Sequence, residues 1–358
     1  MERQRPATML DVASRAGVSR SLVSTVFRNV PGASPATRSR VLAAAAELGY
    51  TPDDRARRLR SHGSRVIGVT LTATQPFHVA LVESLHDEAD LIGYELSLSL
   101  STGSRNLTRA VGTLLAQRCA AVILIGPTAP DDEIGALAAH SPDMPVIVVD
   151  GHVDLTTIDA LRVDDVAALM TTVGHLVDLG HRQIWYADGG HFVSAQPRRH
   201  AFLTAMAAYG LTEQVRIVAS GGTAMDGAQT GLDLLSAGEL PTALIAYNDR
   251  AACGIIDVLS RGGTRFPQDM SIVGFDNIPE AAMPHISLTT IEQRSQTLVK
   301  ATAETLMRRL DGARPGGLRL VQPGPLVVRT SSGPPRETER HRESLAQSES
   351  LLTKAATS

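Results

Sequence analysis

At 358 residues the chain is too long for one ordinary core, and a prior of roughly 150 residues per domain predicts two or three units. With 43% hydrophobic and 20% charged residues the composition is globular, and no apolar run approaches the ~20 residues that cross a bilayer, so no membrane partner is expected. The net charge of −3 conceals an asymmetry, because residues 1–65 hold 12 Arg against 5 Asp and Glu (+7), while the rest hold 22 of the 34 Lys and Arg and 32 of the 37 Asp and Glu (−10). Basic charge confined to one end is the footprint of a nucleic-acid-binding module joined to something that avoids polyanions. Lys300 and Lys354 are the only lysines; arginine's planar fork suits phosphate and guanine edges, and uniform arginine usage equally reflects genome base composition.

The opening "MERQRPATML" lacks the apolar stretch of a secretory signal, and a cytoplasmic protein is expected. Thr8, with Asp11 three residues later, reads as a capping box ahead of Leu10, Val12, Ala13 and Ala16, and this first helix ends at Gly17. Ser19 caps a second helix, on which Leu22, Val23, Val26 and Phe27 share an arc of ~140° while Arg20, Ser21, Ser24, Thr25 and Arg28 face the other way. A third helix starts at Ser34 with Pro35 in its first turn, runs through Val41, Leu42, Ala45 and Leu48, and stops at Gly49. Two helices joined by a tight turn, the second presenting arginine and short polar side chains, match a helix-turn-helix whose second helix enters the major groove. A helix over Asp53–Arg60, in "TPDDRARRL", is too short to persist alone and needs a partner to fold; the alternative is a charged linker.

From Arg65 onward "VIGVTL", "YELSLSL", "AVILIG" and "VIVVD", then "QIWYA", "VRIVAS", "ALIAY" and "SIVGF" alternate with helical stretches. That alternation predicts parallel sheets covered by helices, in two lobes split near residue 163, with a ligand cleft at the carboxyl ends of the strands. Asp150, Asn248, Asp249 and Asp276 stand just at strand ends, where carboxylates and amides either take hydrogen bonds from a ligand or serve as turns and caps. Cys119 and Cys253 lie in apolar stretches read as helical, without metal-binding spacing, and are expected as buried reduced thiols; no metal is expected. The sequence after Ser332 is polar and rich in Pro, Glu and Ser, and is expected to be disordered; Leu345 and Leu352 are too few for a tetramerising coil, so a dimer is expected. Dinucleotide, P-loop, zincin and nucleophile-elbow fingerprints are absent, and His181 and His191 sit in or near turns as expected surface residues, so no catalytic residue is assigned.

"TMLDVASRAGVSRSLVSTVFRN", "ASPATRSRV" and "AAAELGYTPDDRARRLRS", followed by "HLVDLGHRQI", "ALIAYNDRAACGIIDVLSRGG", "FPQDMSIVGFDNI" and "LTTI", resemble the LacI/GalR (lactose-repressor) family almost position for position in the head, and over about residues 7–332 in all. The resemblance implies an N-terminal all-α helix-turn-helix head (1–50) plus a hinge helix (51–64). An α/β two-lobed periplasmic-binding-protein-like domain with parallel sheets follows (65–332, lobe crossovers near 163 and 291), then the tail (333–358). It implies DNA contacts from Thr8, Ser19, Arg20, Ser21, Leu22, Thr25, Arg28, Asn29, Ser34, Thr37 and Arg38. In the hinge it implies contacts from Ala56, Arg57 and Leu59, with Leu59 wedged between base pairs beside its dimer mate. Asp53 and Asp54 depart from the amide or small residues common there; they suit a helix N-terminus but stand near phosphates.

For the cleft the resemblance implies effector contacts from Phe77, His78, Asp150, Arg198, Asn248 and Asp276, together a site for a small polyhydroxylated molecule. "SGGTAMDG" departs from it by placing Gly222 where many sugar-responsive members carry a stacking aromatic, which leaves the effector class open. The implied partners are double-stranded operator DNA, a small-molecule effector and a second copy of the chain. The implied activity is repression in the cytoplasm, on the nucleoid, without cofactor or catalysis.

Overall fold

The computed structural model describes residues 9–27, 33–48, 64–72, 75–141, 143–192, 194–313 and 317–336. The chain divides into two units, Met1–Ser64 and Arg65–Ser358. The expected hinge stretch 51–63 and the tail from 337 lie outside the described residues.

In the first unit α1 (Met9–Ala16), α2 (Arg20–Phe27) and α3 (Pro35–Glu47) close on a small core. Val12, Ala13 and Ala16 of α1 meet Val23 and Val26 of α2 and Val41, Ala44 and Ala45 of α3, each set spaced by three or four residues so that one face of each helix is apolar. The Ser34 hydroxyl caps α3, accepting from the Thr37 amide at 3.2 Å, and Pro35 occupies the first turn, where a missing N–H costs nothing. Leu42 and Leu48, through which this helix was expected to run, are exposed, Leu42 by 48%. The buried stripe of α3 is carried by Val41 and two alanines, whose small side chains let three short helices approach closely.

The second unit begins with β1 (Val66–Leu71), α4 (Pro76–Leu91), β2 (Glu95–Leu100), α5 (Leu107–Ala116), β3 (Ala121–Ile125), α6 (Asp131–Ala139), β4 (Val146–Val149) and β5 (Asp159–Val163). There follow α7 (Asp165–Asp178), β6 (Ile184–Ala187), α8 (Ala195–Ala208), β7 (Arg216–Val218), α9 (Ala224–Ala237), β8 (Ala243–Ala246), α10 (Asp249–Arg261), β9 (Ser271–Asp276) and β10 (Thr289–Glu292). The described elements end with α11 (Ser295–Leu310), β11 (Arg319–Gln322) and β12 (Leu326–Val327). One sheet has the order β11-β5-β4-β3-β1-β2, parallel throughout. The other has the order β12-β10-β9-β8-β6-β7, with only β12 antiparallel. Strands such as "AVILI" and "VIVV" are buried along their whole length, as helices on both faces require. Each fully buried aliphatic there contributes about 1.5–3 kcal/mol relative to exposure.

The chain passes between sheets after β5, after β10 and again after β11, a third passage beyond the two expected near 163 and 291. Thus α11 packs Leu298, Val299 and Leu306 into the core of the first sheet, beside Leu81 and Leu85 of α4. Strands β5 ("DALRV"), β10 ("TTIE") and β11 ("RLVQ") carry polar residues that hide them from a hydropathy reading. Asp159 of β5 is buried because Arg309 of α11 grips both its carboxylate oxygens at 2.7 Å, with the Leu318 amide donating as well at 2.9 Å.

His181, expected at the surface, is fully buried, while His191 is exposed. The His181 Nε2–H donates to the Gly333 carbonyl at 2.8 Å, and Nδ1 lies 2.9 Å from the Thr242 hydroxyl. Gly333, assigned to the polar tail by composition, is accordingly buried, and His175 bonds the neighbouring Ser332 hydroxyl at 3.0 Å. Cys119 is buried in the turn before β3 rather than in a helix, and Cys253 on α10 is only half-buried.

Two outcomes test these anchors. Arg309→Ala leaves the Asp159 carboxylate buried without its cation, and should lower unfolding free energy by about 3 kcal/mol in a urea titration. Burial lowers the pKa of both His175 and His181 from the ordinary 6.5, so the unfolded chain takes up these protons at higher pH than the fold does. Their contribution is present above that value and is lost as pH falls below it. The difference in Tm between wild type and His175→Gln should therefore shrink on going from about pH 7 to about pH 5.

Candidate functional site

The first unit has the geometry of a helix-turn-helix. α1 and α2 are joined through Gly17, and the Ser19 hydroxyl accepts from the Leu22 amide at 3.2 Å, so Arg20 and Ser21 open α2. Leu22 and Thr25 are half-buried along the same helix. Ser34 and Thr37 bond each other through their hydroxyls at 2.9 Å at the start of α3. Arg38 Nη1 donates to the Val26 carbonyl at 3.1 Å, which ties α3 to the end of α2. Thr8, Arg28, Asn29, Ala56, Arg57 and Leu59, and the side chains of Arg20 and Ser21, lie outside the described ones.

In the second unit the carboxyl ends of both sheets face one cavity, open in part at its mouth. The first sheet and α4 contribute Gln75, Phe77, His78 and Asp150; the second contributes Phe192, Arg198, Tyr247, Asn248 and Asp276. All six expected effector contacts thus converge, although Phe77 also packs into the core of its own lobe. Both sheets have the 2-1-3-4-5 strand order whose reversal point opens a crevice at the strand ends, and β1, β3, β6 and β8 flank those points.

Arg198 is buried to 3% exposure near the start of α8. Its Nε donates to Asp165 at 3.1 Å and its Nη1 to the Tyr247 carbonyl at 3.0 Å, while Nη2 stands 3.9 Å from Asp276. The guanidinium carbon lies 3.7 Å from the Phe275 ring centre and 4.9 Å from that of Tyr247. Burial alone would raise the Asp165 pKa, but the His152 hydrogen bond at 2.8 Å and the Arg198 charge outweigh it and hold the carboxyl below its ordinary value. Asp276 is pushed up to about 7 by burial, against the pull of Arg198 and with the charge of Asp150 adding to the rise. It accepts from Gln293 Nε2 at 2.7 Å.

Asn248 works in two directions. Its oxygen accepts from the Ala251 amide at 2.9 Å and caps α10, while its amide donates at 3.0 Å both to Gln75 of the other lobe and to the Gly222 carbonyl. His78 Nε2 pairs with Asp150 at 3.0 Å, and Asp150 itself holds a left-handed backbone (φ 54°) that aims its side chain from the end of β4. Asp249, also at a strand end, serves structure instead: it is fully buried, bonded to the Ile278 amide and the Thr290 hydroxyl, and burial followed by the nearby charge of Asp276 raises its pKa well above the ordinary value. The sequence reading missed Gln75, Asp165, Phe192, Tyr247 and Gln293. Tyr247 alone had a local signal, adjoining Asn248 at a strand end; the others depend on how loops and lobes meet. Among the described residues no cluster of metal-ligating side chains occurs and no helix is long and apolar enough to cross a membrane.

Residues 8–53 match the family described as bacterial regulatory proteins, lacI family, and residues 173–332 match a periplasmic binding protein-like domain. The chain is 32% identical to the lactose operon repressor of Escherichia coli (strain K12) over 355 residues, covering 96% of each. It is 30% identical to the HTH-type transcriptional regulator GalR of the same bacterium over 311 residues, covering 85% of this chain and 90% of that one. Among solved structures, the lac repressor dimer bound to operator and the anti-inducer ONPF aligns with a TM-score of 0.79 at 30% identity, over 92% of this chain and 100% of that one. A LacI transcriptional regulator from a Rhodococcus species aligns with a TM-score of 0.71 at 37% identity, over 76% of this chain and 100% of that one. With a helix-turn-helix followed by a two-lobed domain, and similarity along nearly its whole length, the chain belongs to the lacI family of bacterial transcriptional regulators, proteins with a DNA-binding head and an effector-binding domain.

Proposed function

We propose that the chain is a repressor that binds a pseudo-palindromic operator as a homodimer and changes its grip when a small polyhydroxylated effector enters the cleft. The observation that carries the reading is the meeting of Arg198, Asn248 and Asp276 of one lobe with His78 and Asp150 of the other around one cavity. A molecule bridging those groups pulls two lobes together, and closure at one end of the domain changes the separation of the two hinges at the dimer axis. The +7 carried by residues 1–65 supplies the affinity for phosphates, and the hinge, with Ala56 and Arg57 in the minor groove and Leu59 as wedge, orders on DNA. Operator DNA as the partner places the work in the cytoplasm, on the nucleoid. Exposed apolar residues support the second copy: Leu91 of α4 (79%), Leu98 and Leu100 of β2, and Met225 (78%) and Leu232 of α9 are surfaces that a partner subunit would cover.

Selection of bound DNA fragments, with and without a panel of sugars, nucleosides and other polar metabolites, tests the whole reading; recovery of no shared palindrome overturns it. Within that experiment Arg20→Ala should relax preference at one base pair per half-site, costing roughly 1–3 kcal/mol there, because the first turn of the recognition helix reaches base edges. Equal weakening on every sequence would make Arg20 a phosphate contact only.

Asp276→Asn is the cleaner test of the cleft, since Arg198→Ala would also strand the buried Asp165. Operator binding should persist in Asp276→Asn while the response to effector is lost. In the wild type an effector hydroxyl that donates to the Asp276 carboxylate requires its ionised form, so effector affinity should fall as pH is lowered through about 7. Titrations of effector at several pH values should show that fall in the wild type and no such dependence in Asp276→Asn.

A further inference from the structure

We propose that Phe192 is the platform on which the effector's ring stacks, that it selects a compact neutral cyclic polyol with one apolar face, and that it holds this place because residue 222 has no side chain. The inference rests on the effector-cleft reading above. Phe192, in the loop after β6, and Tyr247, after β8, both line the cavity with ring centres 5.7 Å apart and planes 28° from parallel. A Cβ built on Gly222 would stand 2.6 Å from Phe192 Cε2 and 2.9 Å from two further ring atoms, closer than real contacts allow, so the ring lies in the volume that any side chain at 222 would fill. Gly222 is held against retreat, because its carbonyl accepts from Asn248 Nδ2 at 3.0 Å and from Gln75 Nε2 at 3.4 Å. Tyr247 is seated in the same way on Gly189, whose Cβ would come within 2.3 Å of its ring. The Arg198 guanidinium over Tyr247 prevents that ring from drifting.

One wall of the cavity is therefore a fixed aromatic pair, and facing groups from the other lobe, Asp150 and His78 with Gln75, are polar. A ring with carbon-bound hydrogens on one face and hydroxyls round its edge satisfies both walls at once. An anionic ligand does not fit, since the cavity presents the Asp150 and Asp276 carboxylates and its guanidinium is already engaged by Asp165, the Tyr247 carbonyl and Asp276. Specificity then depends on the ring at 192, which the loop after β6 carries into this wall.

Two measurements test the inference. In the first, melting temperatures are compared for wild type, Gly222→Ala, Phe192→Ala and the double variant. Gly222→Ala should lower Tm in the wild-type background and have little effect once Phe192 is alanine, because the space is then vacant. In the second, titration calorimetry uses the methyl α- and β-pyranosides of D-glucose and D-galactose, myo-inositol, and D-glucose 6-phosphate as the anionic probe. A neutral probe that binds the wild type should bind about tenfold more weakly to Phe192→Ala and with near-native affinity to Phe192→Tyr. Equal Tm losses from Gly222→Ala in both backgrounds, undiminished probe binding by Phe192→Ala, or preference for the phosphorylated probe would each overturn the inference and leave the effector cleft standing. Wild-type protein that binds none of the probes overturns the choice of cyclic polyols as ligand, and if it also ignores every other metabolite of the panel, the cleft reading falls with it.

Discussion

A single buried cation organises the effector domain. Placing the Arg198 guanidinium at 3% exposure would be strongly unfavourable without compensation, and its compensation comes from three stretches of chain far apart in sequence: Asp165 opening α7, the Tyr247 carbonyl after β8, and the end of β9, which supplies both Asp276 and the Phe275 ring. Because each partner satisfies a different part of one planar fork, their relative positions are set by the geometry of the guanidinium rather than by their own loops. The cleft side of the second lobe is in this sense built on Arg198, and the ring of Tyr247 takes its orientation from it.

The same group stands close to the passages between the lobes. Asp165 follows the first passage directly, Asp276 accepts from Gln293 beside the second, and the Gln322 amide at the third donates to the Gln293 carbonyl at 2.8 Å. The Asp164 amide in turn donates to the Gln322 carbonyl at 2.9 Å. The three crossovers between the lobes are thus bonded to one another and, through Gln293, to a carboxylate in the cleft. Asp276 reaches the second crossover through the Gln293 side chain and the other two through Gln322 in turn.

Glycine and aromatic residues divide the work at the cavity. Gly222 read alone is a missing platform, yet in three dimensions its lack of a side chain is what admits the Phe192 ring. The polar edge of the site is preformed as well, since Asn248 both caps α10 and reaches Gln75 across the cleft. Preformed walls reduce the ordering that a ligand must impose on binding.

The sequence by itself determined the three-helix head, the two-lobed parallel architecture and the strand-end position of Asp150, Asn248 and Asp276, because caps, apolar periodicity and uninterrupted apolar strands are local signals written in consecutive residues. The tertiary structure decided what each polar residue does. Asp159 is buried in β5 only because Arg309, 150 positions later, reaches it, and His181 is internal only because the Gly333 carbonyl closes over it. Of two adjacent strand-end residues, Asn248 faces the cleft and Asp249 braces β10. Phe192 becomes a pocket wall through an empty position thirty residues away in "SGGTAMDG". A polar or aromatic side chain gains its role from the partner that compensates its burial, and that partner is specified by how the chain returns on itself rather than by any neighbouring residue.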